Sequence, residues 1–399
     1  MTEPSKERPA HRYEVLDSLR GICALMVALL HFPTGGYISA LPFVQHGFLF
    51  VDFFFVLSGF VIAASYGDRL AQGFSIRRFM ALRLGRIYPL HLFMLVILLI
   101  FEVIFWGGLL GKADRAPFNP EYSPFMFLAN LLLIQTFVGL DAQSWNGPSW
   151  SIAVEIWTYL VFAMIYRWMR PGLVPVSIVI AVAAAVCLYF ATDRYIAVFH
   201  DWAIVRCLYG FACGTIAYRI HKTDPRFLRL NGLAATLVEV AMLLFVLLMV
   251  SLAGPSPLSL AMPIVFVAAV VLFSGERGLL SGLLKTAPFL FLGALSYSIY
   301  MVHFFVQLRL VNLLSIIQKL SHGRLTLIVN TGGHNQIAGD GIYGDVAAIS
   351  MLAVVVAFAF VTYNLVEKPG QAWSRRRILG PRPAPATARA EADAEVVTF

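Results

Sequence analysis

Charge is what this sequence has least of. Asp, Glu, Lys and Arg make up only 13% of its 399 residues. Hydrophobic residues make up 59%, and the mean hydropathy is +0.77. A soluble globular domain carries about 25% charged residues, so that class is excluded. Polar stretches are as scarce, and none between the apolar runs is long enough for a globular domain. Cysteine is confined to Cys23, Cys187, Cys207 and Cys213, each inside an apolar run where a thiol behaves as a small hydrophobe. That excludes a disulfide framework and a zinc cluster. A G-x-x-x-x-G-K-[ST] loop, a serine nucleophile elbow and metal-ligand spacings are all missing. Nucleotide hydrolysis and metal chemistry therefore drop out, and no metal is expected. No internal repeat supports a two-fold transporter architecture.

What is present is a series of apolar runs near 15–33, 45–66, 87–106, 123–140, 149–166, 173–191, 202–218, 233–252, 259–275, 287–308 and 346–365. Runs of this length span a bilayer as helices. The run that follows the polar N-terminus is too long for a signal peptide and has no small-residue cleavage site, so the first helix is expected to stay. The net charge of +8 resides in short loops beside these runs, where retention on the cytoplasmic side explains it better than a nucleic-acid partner. Arg69, Arg77, Arg78, Arg83 and Arg86 place the connection 67–86 in the cytoplasm. Arg167/Arg170, Arg219/Lys222/Arg226/Arg229, Arg277/Lys285 and Arg375–Arg377 follow.

Strict alternation then fails once. Segments 87–106 and 149–166 both face outward at their adjoining ends, so 123–140, with Asn130 and Gln135, does not cross once and is re-entrant or interfacial. The expected fold is all-α: a polytopic membrane protein with about ten transmembrane helices plus that one segment. Both termini lie inside. Residues 1–14 form a cytoplasmic tail, 15–368 the membrane domain, and 369–399 a cytoplasmic, largely disordered tail. The longest outer connection, 309–345, contains NTGGHNQIAGDGIYGD and is read as a flexible insertion, with a lid or acceptor-binding loop as the alternative.

Ionisable groups inside spans are costly and mark function by default. Arg20 and His31 are separated by eleven positions, about three turns, so they share a face of the first helix and stand ~16 Å apart. An arginine at the inner mouth suits a phosphate, and an imidazole deeper in suits proton transfer. The plainer alternative is that Arg20 pairs with Asp17 and snorkels while His31 sits at the outer interface. Asp52, Glu155, Arg206 and His303 fall at similar depth in the outer half. Asp52 and Arg206 fit a structural ion pair, while Glu155 beside His31 fits a carboxylate that orients an imidazole. Arg78, Arg83 and Arg86 join Arg20 in a basic inner layer dense enough for an anionic ligand.

Six stretches in this order, SLRGICALMVALLHF, FVDFFFVLSGFVI, RRFMALRLGRIYPL, NGPSWSIAVEIWTYL, GALSYSIYMVHF and VEKP, resemble the acyltransferase-3 family of bacterial membrane acyltransferases, which includes O-antigen, exopolysaccharide and Nod-factor acetylases. The resemblance spans nearly all of 13–370. It implies a cytoplasmic acyl-CoA donor, usually acetyl-CoA, used as cosubstrate with no permanently bound cofactor. It also implies an acceptor hydroxyl, usually on a saccharide or lipid-linked saccharide, presented at the outer side of the bacterial inner membrane. Arg20 and His31 land on the family's essential Arg and His. Arg83 and Arg86, with Arg78 beside them, land on the donor-assisting arginines, and Glu155 on the glutamate of the WSIAVE stretch. Asp52, Trp150, Arg206, Tyr300 and His303 fall to acceptor binding or support. The 309–345 loop is longer than usual for the family, and members with an appended extracytoplasmic esterase-like domain differ from this chain. The expected mechanism has Arg20, Arg83 and Arg86 holding the nucleotide end of the donor while His31, oriented by Glu155, takes the acceptor's proton. The competing readings are a transporter of an anionic solute and an acyltransferase with a nonsaccharide acceptor.

Overall fold

A computed structural model describes residues 12–32, 34–107, 115–139, 143–169, 172–223, 230–322, 324, 326–331 and 334–380. The expectations for 1–11, 381–399, Arg170, Arg226 and Arg229 lie outside the described residues. In chain order the main elements are α1 (Glu14–Leu30), β1 (Thr34–Gly35), α2 (Gly47–Ala71), α3 (Ile76–Trp106), α4 (Pro124–Leu131), α5 (Ser149–Trp168), α6 (Leu173–Ala191), α7 (Ala203–Lys222), α8 (Gly232–Ala253), α9 (Pro257–Phe273), α10 (Ala287–Leu320), β2 (Ile328–Thr331), β3 (His334–Asp340) and α11 (Ile342–Leu379).

Eight of these helices are long and apolar enough to cross a membrane. With α1, which has 17 residues, and the shorter apolar α9 they make about ten spans among the described residues, the number read from hydropathy. The chain is an all-α polytopic membrane protein. Burial separates its centre from its rim: α2 and α5 bury 72% and 67% of their apolar windows, α6 and α8 only 28% and 22%, so the latter present their side chains to lipid.

The 123–140 segment does not span. Its helix α4 has eight residues, ~12 Å of rise, and ends where Leu133 turns with φ 57°. The buried polar residues explain the turn. Asn130 donates to Ser144 Oγ at 2.7 Å and accepts from Ser149 Oγ at 3.2 Å, and Gln135 donates to the Ser149 carbonyl at 3.2 Å. Backbone that leaves a helix at membrane depth needs such protein partners.

Two helix seams are set by glycine. On the first, a Cβ on Gly21 of α1 would stand 2.5 Å from the Leu292 carbonyl carbon, and one on Gly293 of α10 would stand 2.6 Å from the Asp17 oxygen. The two backbones therefore touch, which brings Arg20 against α10. On the second, a Cβ on Gly210 would stand 2.7 Å from the Phe55 Cβ, and Gly214 one turn on meets the Val56 carbonyl, so α2 and α7 interlock through a small-xxx-small pair. Gly210→Leu forces this seam open. The expected loss is about 1–3 kcal/mol, read as a lower unfolding temperature of the detergent-solubilised protein; an unchanged temperature would show that the seam yields freely.

Two boundaries differ from expectation. The 309–345 stretch is not one long loop: α10 runs on to Leu320, 34 residues or ~51 Å, well past a ~30 Å hydrocarbon core. Hydropathy falls after 308, but the helix has nothing to stop it before Ser321, and Leu313, Ile316 and Leu320 keep an exposed apolar stripe. Beyond it β2 and β3 pair antiparallel, and β3 pairs in parallel with β1, so the insertion is strapped to the chain just after His31. At the other end α11 continues through Lys368–Leu379, so helix extends past the expected boundary at 368.

Candidate active site

Where α1, α2, α3, α5, α10 and α11 converge they enclose a cavity of about 570 Å³. Arg12, Arg20, Arg83, Arg86 and Arg375 line it, against two carboxylates, Asp17 and Glu155. Residues 83, 86 and 87 are spaced i, i+3, i+4, which puts them on one face of α3 toward the cavity. Gly85 and Pro89 occupy another face and pack against Ser374 and Gly370 of α11. Arg78 belongs to neither: it is exposed and does not line the cavity, a correction to its place in the inner basic layer. It lies eight positions before Arg86, about 80° off the cavity face.

Each arginine is held differently. The Arg20 Nε donates to Ser296 Oγ at 2.8 Å, and its Nη2 donates to the Gly293 carbonyl at 3.3 Å and lies 3.2 Å from Asp17 Oδ1. The Arg20–Asp17 pair offered as the plainer alternative therefore exists, on a side chain that also lines the cavity. Asp17 binds Arg12 as well, at 3.0 Å; this hydrogen bond is the main reason that Arg12, outside the spans, has a pKa above the usual arginine value. The Arg83 guanidinium lies 4.9 Å from the centre of the Tyr66 ring, and its Nε is buried without a partner. Arg86 is close enough to Arg20 and Arg83 to feel both charges, and the Glu367 carboxylate acts against them. Glu367 is itself buried and accepts from Ser298 Oγ at 2.6 Å and Gln371 Nε2 at 3.0 Å. Like charges gathered this way repel, and an anion relieves them.

Glu155 is not beside His31. It accepts hydrogen bonds from Ser58 Oγ and, at 2.6 Å, from the Tyr159 hydroxyl, and the cations that act on it are Arg83 and Arg86. The chain is already buried in the protein before α5 begins. Trp145, Asn146 and Ser149 are already buried, and Glu155 lies ~9 Å further in.

The cavity floor is a pair of hydroxyls, Ser151 Oγ and Tyr300 Oη, 2.8 Å apart. Beyond the floor lie two histidines. The Tyr300 ring is 5.9 Å from that of His303, which is 5.0 Å from that of His31. His31 Nδ1 bonds the Val27 carbonyl at 2.8 Å, and Gln307 Nε2 donates to the His31 carbonyl. His303 is fully buried; its Nδ1 bonds the Tyr300 carbonyl at 2.7 Å, and its Nε2 has no partner. A buried polar atom left unpaired costs about 1–3 kcal/mol.

Asp52 and Arg206 form the ion pair that their types suggested. The Arg206 Nε and Nη2 donate to the two Asp52 oxygens at 2.9 and 2.8 Å, and both side chains are 0% exposed. The guanidinium also donates to the Val198 and Phe48 carbonyls and lies 5.4 Å from the centre of the Trp150 ring. This cluster ties α2 to α7 and stands apart from the cavity lining.

A fold of membrane helices that joins an arginine-lined cavity to a histidine pair can be compared with known proteins. A family model described as an acyltransferase domain matches residues 13–364. The chain belongs to the acyltransferase-3 family. Curated relatives of this family member agree. It is 28% identical to acyltransferase MdmB of Streptomyces mycarofaciens, over 91% of this chain and 88% of that protein. It is 29% identical to protein 2 in the picA locus of Rhizobium radiobacter, over 47% of this chain and 98% of that one. It is 23% identical to O-acetyltransferase OatA of Staphylococcus aureus, over 72% of this chain and 49% of that protein. No solved structure matches the chain. The protein is thus a multi-pass membrane acyltransferase that transfers groups other than aminoacyl groups.

The sequence pointed to Arg20, Arg83, Arg86, Tyr300, His31 and His303, and the structure puts the first four in one cavity and the last two behind its floor. Arg375 was read as a retention charge, Arg12, Ser296 and Gln307 were passed over, and Glu367 appeared only inside the VEKP motif. The signal for Arg375 was its place on a helix packed against the RIYP segment, which no single sequence reveals.

Proposed function

We propose that this acyltransferase moves an acyl group, preferably acetyl, from cytoplasmic acyl-CoA to a hydroxyl of an envelope or exported saccharide. The cavity carries this reading. Five arginines against two carboxylates suit the phosphates of CoA, and the apolar lining of Val51, Phe54, Leu57 and Ile152 suits the pantetheine arm that extends toward Tyr300. CoA is too highly charged to cross a bilayer, so its phosphates stay at the arginine mouth. Arg12 and Arg375 share that mouth, so the two ends of the described chain lie on one side. The bias of Lys and Arg makes that side the cytoplasm of a bacterial inner-membrane protein. The similarity to OatA, an O-acetyltransferase, favours oxygen as the acceptor atom.

In this mechanism Arg20, Arg83 and Arg86 bind the phosphates. Glu155 is a positioning residue that compensates Arg83 and Arg86 instead of orienting His31. The Val27 carbonyl fixes the His31 tautomer with Nδ1 protonated, leaving Nε2 to take the proton from the attacking hydroxyl. A hydroxyl acceptor reaches His31 from the end covered by β1 and β3. Purified protein given radiolabelled acetyl-CoA and envelope saccharide tests the reading: label moves to saccharide. Solute flux without any transfer would contradict it. Arg86→Gln removes a charge-assisted contact to phosphate, so the KM for acetyl-CoA rises about 10- to 100-fold while kcat changes far less. An equal loss of kcat at unchanged KM would place Arg86 outside donor binding.

A further inference from the structure

We infer that the nucleotide end of the donor lies in a second cavity at the cytoplasmic side, where Arg277 and Lys222 receive the ribose 3′-phosphate of acyl-CoA. The inference rests on the acyl-CoA reading above and deepens it.

Acyl-CoA carries its charge in two places, a pyrophosphate at the head of the pantetheine arm and a 3′-phosphate on the ribose beyond it. With the pyrophosphate at Arg20, Arg83 and Arg86, the adenosine and its 3′-phosphate lie further toward the cytoplasm. Tyr13 stands in that direction. It is the N-cap of α1, seven positions before Arg20, which is two turns on the same face and ~10 Å along the axis. Tyr13 lines the arginine cavity and also a second cavity of about 390 Å³. Tyr218, His221 and Lys222 from the end of α7 line the second cavity too, with Ser274 and Arg277 from the turn after α9. Neither cavity is enclosed, so a ligand extends from one to the other past Tyr13 without a tunnel.

The second lining has the chemistry of a nucleoside phosphate site. Among the described residues it offers hydroxyl, imidazole, ammonium and guanidinium groups and no carboxylate. Nearby acids are engaged elsewhere. Glu276 accepts from the Val15 amide at 3.2 Å and from Lys285 at 3.1 Å. Asp68 meets Lys222 at 3.3 Å in an exposed pair, which holds the ammonium only weakly. Arg277 is exposed, and among the described residues its guanidinium makes one hydrogen bond, at 3.4 Å to Asn231 Oδ1. Its other donors are open to a phosphate, whose oxygens the guanidinium fork matches. His221 is set before any ligand arrives: its Nε2 is 3.3 Å from the Tyr13 hydroxyl, its Nδ1 is 2.7 Å from Ser274 Oγ, and its ring meets Phe60 edge-on at 5.6 Å. Retention of positive charge at the cytoplasmic face accounts for Arg277 and Lys222 one by one. It does not account for an acid-free cavity that shares Tyr13 with the donor cavity.

The test compares acetyl-CoA with acetyl-3′-dephospho-CoA, which lacks only the 3′-phosphate, as donors to purified full-length protein in detergent with envelope saccharide as acceptor. The wild type is expected to show a KM about 10- to 100-fold higher for the dephospho donor at similar kcat. Arg277→Gln is expected to raise the KM for acetyl-CoA about 10-fold and to leave that for the dephospho donor within about twofold of wild type. A variant that raises both KM values alike has a structural fault and overturns the inference. So does equal use of the two donors by the wild type, a comparison that needs no variant. A preference that survives Arg277→Gln but disappears in Arg375→Gln places the 3′-phosphate in the first cavity and overturns it as well. Absence of transfer from either donor sinks the donor assignment and this inference together, whereas transfer from both with equal KM sinks this inference alone.

Discussion

His31→Ala lowers the rate of acyl transfer by about 10³-fold or more while leaving the binding of acetyl-CoA almost unchanged. The expectation follows from where the residue lies. His31 does not line the arginine cavity; its ring lies 5.0 Å from that of His303, away from the arginines that bind the phosphates. Its loss removes a base that acts in the transition state and no contact that holds CoA in the ground state, so kcat falls and KM stays. The bland alternative, a histidine that sits at the membrane interface, predicts no such separation. Equilibrium binding of labelled acetyl-CoA, measured beside single-turnover transfer, separates the two. Transfer that survives His31→Ala would remove this residue from the chemistry.

Arg206→Ala has the largest expected effect on stability, about 3–5 kcal/mol. Removing the guanidinium leaves the Asp52 carboxylate buried and uncompensated, frees the Val198 and Phe48 carbonyls, and opens space against Trp150. The cost comes from the orphaned charge more than from the value of the pair. The double variant Asp52→Leu/Arg206→Met should therefore recover most of the lost stability, because it removes both charges and fills the volume. Thermal unfolding and monodispersity in detergent report the difference. A double variant as unstable as the single one would show that the pair itself holds α2 to α7. As the pair lies outside the cavity, the refilled protein is expected to keep donor affinity.

Much of the fold is legible in the apolar runs because the bilayer imposes length and polarity on each span independently. The failure of alternation at 123–140 was visible for the same reason: a charge-biased loop fixes the side of its neighbours, and the short α4 with its Asn130 and Gln135 contacts is what that conflict required. Depth and facing were less accessible. Glu155 was placed by counting from an assumed surface, but the preceding turn with Trp145 and Asn146 is already sunk in the protein. Arg78 shares a basic stretch with Arg83 and Arg86, and only the helical phase relative to α11 shows that it points elsewhere. The hairpin after α10 escaped notice because its polar, glycine-bearing sequence has no strand alternation, and its pairing partner Thr34–Gly35 is some 300 positions away. Residues that act through others, such as Glu367 behind Arg86 and Gln307 behind His31, carry no signal in a single sequence.

The central claim is that donor and acceptor meet from opposite faces of the membrane, the donor at the arginine mouth and the acceptor at the His31 end. Its most direct test is acyl transfer in sealed proteoliposomes of one known orientation, with radiolabelled acetyl-CoA supplied on one face only and saccharide on the other. The account predicts transfer when acetyl-CoA is on the face that exposes Arg12 and Arg375, and none when the two substrates are exchanged. Equal transfer from either face, or transfer only from the face that carries the β1–β3 strap, would contradict it.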